Sequence, residues 1–361
     1  MHRAHKIRIY PTASQETVLR QYVGGSRFVY NWALDNWKKW ADEKKKGIRE
    51  DNPNWVKLSK LWTMERPEWS RELPRCAVTA SLKSVNVAFT NHFKNGAGWP
   101  KFKKRGVSRD SFYTDNTHTS IRHDGKHIHI PGIKKDIKMA EPLRFAGKVM
   151  AYTVSQYAGK WYVSVKVEME DTRSAPSSTV GVDVGMKTPA VCSDGTALTL
   201  PFERLRKLEK RLKKAQRVVS RRQKLSRRRV KALRRKQRIQ DRINNIRLDC
   251  IHKFTSAVCK NHATVVVEDL NMVGMHRGPK NVRSGMQRSC MSEVLRQLGY
   301  KAVNLVKADR WYPSTQLCSN CGHRQKMKLT QRTYVCPECG LSIDRDLNAA
   351  INLSKYPGSL G

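Results

Sequence analysis

Two cysteine pairs, Cys318-x-x-Cys321 and Cys336-x-x-Cys339, are separated by 14 residues, and glycine follows each at once as Gly322 or Gly340. A tetrahedral zinc ion takes thiolates at about 2.3 Å, and a CxxC turn aims two of them at one centre. Glycine lets the chain reverse beneath the metal, because it enters left-handed backbone at little cost. Four thiolates leave no open position, so one structural zinc on Cys318, Cys321, Cys336 and Cys339 is the reading. The short polar segment between the knuckles, Arg324 to Val335, suits a two-stranded ribbon. His323 is adjacent but unnecessary as a ligand. Cys76, Cys192, Cys250, Cys259 and Cys290 lack ligand spacing and read as buried small apolar side chains.

Carboxylates form the second constellation. Gly181-Val182-Asp183-Val184-Gly185 sets an acid inside a short apolar strand, and Thr264-Val265-Val266-Val267-Glu268-Asp269 ends a buried-looking strand on acid. Asp344-Arg345-Asp346-Leu347-Asn348-Ala349-Ala350 carries acids into a helix of small residues. An ionised group in apolar surroundings is costly unless it is paired or metal-bound. Each acid alone has an ordinary account as a strand end or a dipole-favoured helix start. Together, in a chain so poor in acids, they point to a divalent-metal cluster. Two Mg²⁺ ions on carboxylates suit phosphodiester cleavage, positioning water and stabilising the leaving oxygen.

The elements that must position these groups can be sketched from pattern. Lys6 to Tyr10 alternates as a strand, Pro11 breaks it, and Thr12 with Gln15 forms a capping box opening a helix. Helical texture continues to about Phe93, with Trp32, Trp37 and Trp40 as core candidates and a second helix over Ala77 to Phe93. After Lys101–Gly106 the period becomes two: His127 to Pro131 alternates, and Val149–Val154 with Trp161–Val167 reads as a hairpin around Ala158-Gly159-Lys160. Asp171 to Ser178 looks like a linker. Apolar strands at Val180–Val184 and Pro189–Cys192 begin a new domain. A basic stretch from Phe202 to about Ile246 then reads as a helical hairpin. Its narrow apolar seam is Leu205, Leu208, Leu212, Val218, Leu225, Leu233 and Ile239.

The 361 residues hold 71 Lys and Arg against 30 acids, a formal charge of +41. No fold needs such an excess, and self-repulsion makes it costly without a polyanion, so nucleic acid is the natural partner. The basic hairpin reads as a phosphate-contacting surface, since acids are too few to pair it. The charge runs through nearly every segment instead of forming one amphipathic face, which argues against a membrane partner. No signal-like start and no membrane-length apolar run is seen, and nine cysteines argue against a disulfide framework; the expected place is the prokaryotic cytoplasm, at the nucleoid.

At this point the chain resembles the TnpB proteins of insertion sequences, relatives of the type V CRISPR effectors. The resemblance runs nearly end to end, through KIRIYPT with Gln15, PKFKKRGVSRDSF, GVDVGMKTPAVCSDG, VVVEDLN, DRWYPSTQLCSNCG and CPECGLSIDRDLNAAINL. It implies an α/β multidomain protein: an RNase H-like RuvC nuclease domain with a zinc ribbon, plus an N-terminal wedge β-barrel with an inserted helical recognition region. The implied boundaries are 1–15 and 104–178 for the wedge and 16–103 for the recognition region. The nuclease domain would take 179–315, the ribbon 316–340, and the last nuclease helix and tail 341–361. The family's catalytic and metal-binding acids map onto Asp183, Glu268 and Asp346. Asp346 is taken over Asp344 because the family places the acid two before the asparagine, here Asn348, and Glu268 is taken over Asp269 on the same ground.

The implied activity is guide-RNA-directed, Mg²⁺-dependent cleavage of target DNA beside a short flanking motif, with one protein per guide. Base pairing would supply sequence choice, and a basic channel would hold the hybrid by its backbone. Thr79, Ser81 and Ser111 to Asn116 lie in segments resembling target-contacting regions, and ordinary surface polarity accounts for them as well. Between Tyr300 and Asp309 the chain is shorter than many relatives, which would shorten a helix near the site. Two other readings stand beside the nuclease. A catalytically weak or inactive RNA-guided DNA-binding regulator should have lost an acid, and all three remain. A strand-joining transposase should show a nucleophilic tyrosine motif, and none is seen.

Overall fold

Alternation in the first ten residues becomes strand β1 (His2–Tyr10), which turns His5, Ile7 and Ile9 inward. The capping box is present as read: the Gln15 amide oxygen accepts from Thr12 N–H at 3.0 Å, while Thr12 Oγ1 accepts from Gln15 N–H. From it runs α1 (Ala13–Lys45), a single helix of 33 residues. Then come α2 (Trp55–Glu65), a short 3-10 turn (Glu68–Glu72) and α3 (Arg75–Asn95). Strands β2 (Asp110–Asp115), β3 (His127–Ile128), β4 (Ile137–Met139), β5 (Lys148–Tyr157) and β6 (Lys160–Glu168) complete the first unit, Met1–Asp171. This is a computed structural model that describes residues 1–115, 122–224, 226–328 and 330–357.

The six strands form one antiparallel sheet in the order β2-β5-β6-β1-β4-β3. The β5–β6 hairpin turns on Ala158 (φ 53°) and Gly159 (φ 79°), two left-handed residues in the tight turn that matches strand twist. The His127–Pro131 alternation yields only the two-residue β3, although Ile128 and Ile130 are both fully buried. The first half of α1 lays Leu19, Tyr22 and Val23 on the sheet. Its second half packs Val29, Leu34 and Trp37 against Leu58 and Trp62 of α2 and Leu82 and Phe89 of α3. Trp37 stacks on Phe89 at 4.7 Å, and Trp32 meets Trp62 edge-on at 5.0 Å, as core aromatics should. Trp40 instead sits beneath the Arg49 guanidinium, 4.2 Å from its ring. Ser81 is buried and donates to Ala77 O within α3, a helix-internal role and not a surface contact; Asn116 lies outside the described residues.

The second unit, Thr172–Gly361, is a mixed α/β assembly. Its sheet has the order β10-β9-β7-β8, from β7 (Thr179–Asp183), β8 (Val191–Cys192), β9 (Thr264–Glu268) and β10 (Asn304–Ala308). β7, β9 and β10 run parallel and β8 antiparallel. Between β8 and β9 lie two long helices, α4 (Phe202–Arg221) and α5 (Arg227–Asn261). Their seam holds Leu205, Leu208, Leu212 and Ile239 as expected. Val218 faces solvent, however, and Val219 is buried in its place, so the seam is one residue out of the sequence register there. Leu225 lies outside the described residues. After β9 come α6 (Met272–Arg277), α7 (Lys280–Ser289) and α8 (Met291–Lys301), with only Ala302 and Val303 between α8 and β10. β11 (Thr333–Val335), β12 (Ser342–Asp344) and α9 (Arg345–Ser354) close the order. No helix among the described residues is long and apolar enough to cross a membrane.

Candidate active site and metal centre

Two neighbouring parallel strands end on acid. Val182 pairs with Val267, so the next residues, Asp183 on β7 and Glu268 on β9, emerge side by side at the C-terminal edge of the sheet. Asp346 comes from the first turn of α9, where the helix dipole favours a negative charge. This helix lies close on β7 because Gly181 has no side chain. A Cβ there would fall 1.9 Å from Ala350 O and 2.5 Å from Ser354 N, both backbone atoms. Glycine in the GVDVG strand is therefore what brings Asp346 toward Asp183.

The electrostatics register the convergence. Burial pushes the Asp183 carboxyl up to about 8; repulsion from Glu268 and then Asp346 adds to this, and the Arg345 guanidinium opposes it. Glu268 Oε1 accepts a hydrogen bond from Ser314 Oγ. Asp346 is held by two guanidiniums: Arg332 Nη1 lies 3.2 and 3.1 Å from its two oxygens, and Arg345 Nη2 lies 3.3 Å from Oδ1. Asp344 is differently employed, accepting from the Asp346 and Leu347 N–H groups as the cap of α9. Asp269 turns aside as well and pairs with Arg310 at 3.0 Å.

The four cysteines converge. Among the described residues they are the group of potential metal ligands whose donor atoms all lie within 4.8 Å of one another, a spacing the three carboxylates do not meet. Cys318 Sγ lies 3.6 Å from Cys339 Sγ, and Cys321 Sγ lies 3.6 Å from Cys336 Sγ. A tetrahedron with bonds of about 2.3 Å has edges of about 3.8 Å, so the set fits one ion. Both knuckles close alike: Gly322 N–H donates to Cys318 O and Gly340 N–H to Cys336 O, with φ of 77° and 71° at the glycines. The Leu341 backbone N–H and the Asn320 side chain lower the Cys339 thiol while its neighbour Cys321 is raised, so the cluster shares its protons as one group. The ribbon differs from expectation. Its strands, β11 and β12, flank the second knuckle instead of filling the segment between the two, and one isolated bridge, Leu317 to Arg324, flanks the first. Residue 329 lies outside the described residues. Of the remaining cysteines, Cys76, Cys192 and Cys259 are buried, while Cys250 and Cys290 are only half-buried.

Sequence reasoning missed the ties between ribbon and acids. Asn348 and Asn352, both buried in α9, donate to Leu317 O at 2.7 Å each, and Asn348 Oδ1 accepts from Ser319 N–H at 2.9 Å. Asn352 also donates to Ser314 O at 2.8 Å. The first knuckle is thus stitched to the helix that carries Asp346. Ser314, Arg332 and Arg345 join them; a polar or cationic residue inside a basic chain carries no signal of its own until its partner is placed. The two asparagines among small apolar residues of α9 were the signal available, since buried amides demand partners.

Acids at the ends of parallel strands, a four-thiol cluster and a basic helical hairpin belong to one mixed α/β unit. A Cas12f1 from a complex with guide RNA and target DNA superposes with a TM-score of 0.55 at 14% identity, covering 98% of both chains. The "mini-RNA-guided endonuclease CRISPR-Cas_phi3" gives 0.50 at 8% identity, over 99% of this chain and 92% of that one. Three family profiles match: "Probable transposase" over residues 162–278, "Cas12f1-like, TNB domain" over 292–353 and "Helix-turn-helix domain" over 1–46. The last region is β1 followed by one unbroken helix. "Putative RNA-guided DNA endonuclease InsQ" of Escherichia coli K12 is 33% identical over 97% of this chain and 91% of its own. A "Putative RNA-guided DNA endonuclease" of Streptomyces pristinaespiralis is 33% identical over 97% and 88%. The chain belongs to the TnpB family.

Proposed function

We propose that this chain is an RNA-guided, Mg²⁺-dependent DNA endonuclease that hydrolyses phosphodiesters beside a short flanking motif, with Asp183, Glu268 and Asp346 as its catalytic acids. The observation that carries the reading is the side-by-side emergence of Asp183 and Glu268 from paired strands, with Asp346 near enough that burial first, and then both acids, raise the Asp183 carboxyl to about 8. Acids that repel one another at the end of a buried sheet destabilise the fold, and a divalent cation relieves that cost. The hard oxygen donors suit Mg²⁺ and the four thiols suit Zn²⁺. Bound Mg²⁺ supplies Lewis-acid activation of water and stabilisation of the leaving oxygen. The chain's own share is to orient Glu268 through Ser314 and to balance the Asp346 charge with Arg332 and Arg345.

The sheet order β10-β9-β7-β8, with one antiparallel edge, supports an RNase H-like RuvC domain over 179–315 and 341–361, with the zinc ribbon at 316–340. The antiparallel sheet supports a wedge from 1–15 and 104–178, and α1 to α3 support a recognition region at 16–103. Guide RNA and target DNA are the partners the charge calls for. The test uses the chain purified with the RNA that accompanies it and a matched target behind a library of flanking sequences. Wild type should cut one flanking class in Mg²⁺, and Asp183→Ala should bind guide RNA normally without cutting. Persistent cutting by the purified variant would sink the assignment.

A further inference from the structure

Beyond Glu268 the chain exposes an aromatic side chain for which folding has no use. Trp311 is 84% exposed, the highest fraction among the exposed large apolar side chains of the described residues. Leaving an indole in water forgoes one of the largest burial gains any side chain offers. Its neighbour Tyr312 does the opposite: its ring meets Tyr356 edge-on at 5.0 Å and its hydroxyl donates to Asn352 O at 3.1 Å. The backbone beneath Trp311 is braced. Trp311 N–H donates to Asp309 Oδ1 at 2.8 Å, Tyr312 N–H closes the turn on Asp309 O at 3.0 Å, and Asp309 N–H donates to Tyr356 Oη at 3.2 Å.

Trp311 forms one wall of an open cleft of about 620 Å³ shared with Asp269, Lys307, Ala308, Asp309 and Arg310. The cleft lies at the strand ends that carry the acids, since Ala308 pairs with Glu268 in the β10–β9 register. Ser314, three residues past the indole, donates to Glu268. The lining charges balance: Arg310 Nη2 lies 3.0 Å and Lys307 Nζ 3.7 Å from Asp269, and Asp309 is the second carboxylate. In a chain of charge +41, a balanced cleft is a poor phosphate site. It suits an uncharged planar ring with a hydrogen-bonding edge, laid on the indole.

We propose that Trp311 is a stacking platform for an unpaired nucleobase of the DNA strand presented to the acid cluster, with Lys307, Arg310, Asp269 and Asp309 facing the edge of that base. This rests on the nuclease reading above and names how its substrate strand is held.

The test places 2-aminopurine at single positions around the cut site in a target bound by the guide-loaded Asp183→Ala protein, where stacking on indole quenches emission. Emission should be quenched at one or two adjacent positions, recover in Asp183→Ala/Trp311→Ala and stay partly quenched with Trp311→Phe. In cutting-competent protein, Trp311→Ala should slow single-turnover cleavage about tenfold, within the roughly 5- to 150-fold span of losing one base stack. An abasic site at the quenched position should slow wild type comparably and add little to Trp311→Ala. Emission indifferent to Trp311 at every position in a complex that binds its target overturns the proposal, as does full multiplication of the abasic and Trp311→Ala effects. Failure of wild type to cut any target would strike at the nuclease reading itself, and is read before any variant is made.

Discussion

Asp183 ends a strand whose three preceding residues are apolar and buried, and it feels two further acids. Its carboxyl, raised to about 8 first by burial and then by Glu268 and Asp346, holds its proton in the folded chain while the unfolded chain has lost it. The folded state therefore binds more protons between about pH 4 and pH 8, and stability falls as pH rises through that window. Asp183→Asn removes the titration. Metal-free wild type should lose denaturation midpoint from pH 5 to pH 8 more steeply than Asp183→Asn. Added Mg²⁺ should stabilise wild type at pH 8 and leave the variant little changed, as linkage to the native state requires. Equal pH slopes for the two proteins would show that the acids do not sense each other. At the same scale, the choice between adjoining acids has a structural cause: Asp344 is spent as a helix cap and Asp269 as a partner of Arg310, which leaves Asp346 and Glu268 to face Asp183.

α9 is the element on which the site depends, since it carries Asp346, rests on β7 and is bonded to the ribbon. The contact with β7 tolerates no Cβ at position 181, because backbone atoms stand in its way at 1.9 and 2.5 Å. Overpacking of this kind costs about 1–3 kcal/mol, and here relief requires α9 itself to shift. Gly181→Ala should lower the thermal midpoint by several degrees and abolish cutting although every acid remains; retained cutting would mean that α9 need not lie so close. The ribbon acts on the same helix from the other side. Asn352→Ala strips its donor from Ser314 O, a buried loss costing about 1–3 kcal/mol, and leaves Leu317 O to Asn348 alone. Because Ser314 also holds Glu268, this variant should lower kcat more than a remote substitution of equal destabilisation. Metal analysis should find one zinc per chain, absent in Cys318→Ser. Chelation should lower the melting temperature, with Zn²⁺ and not Mg²⁺ restoring it.

At the scale of the whole molecule, +41 charges make nucleic-acid binding a salt-dependent equilibrium. Lys210, Lys213 and Arg217 lie exposed on α4, opposite the Leu205–Leu208 seam. Replacing all three with Gln should flatten the log–log salt dependence of RNA or DNA affinity by roughly 2–3 units, since each phosphate contact contributes about 0.7–0.9. A slope indifferent to them would place the polyanion elsewhere. Much of this architecture was legible beforehand because its signals are local. A CxxC knuckle with its glycine, a capping box and an apolar run ending on acid each draw their meaning from a few adjacent residues. Less legible were β4 and β10, whose three and five residues pair only with distant partners, and the ribbon strands, which lie on either side of the second knuckle. The seam slipped from Val218 to Val219 because a helix near its end can turn either valine inward, and packing chooses.

By itself the sequence determined the donors: four thiols at knuckle spacing, three acids at element ends and an excess of cations, all properties of residue type and short-range order. Only the tertiary structure decided which of five neighbouring acids face one another, which arginines answer them and which tryptophan stays in water. Those outcomes turn on the parallel pairing of β7 with β9 and the seating of α9 on Gly181, contacts between segments more than 80 and 160 residues apart that no local pattern encodes.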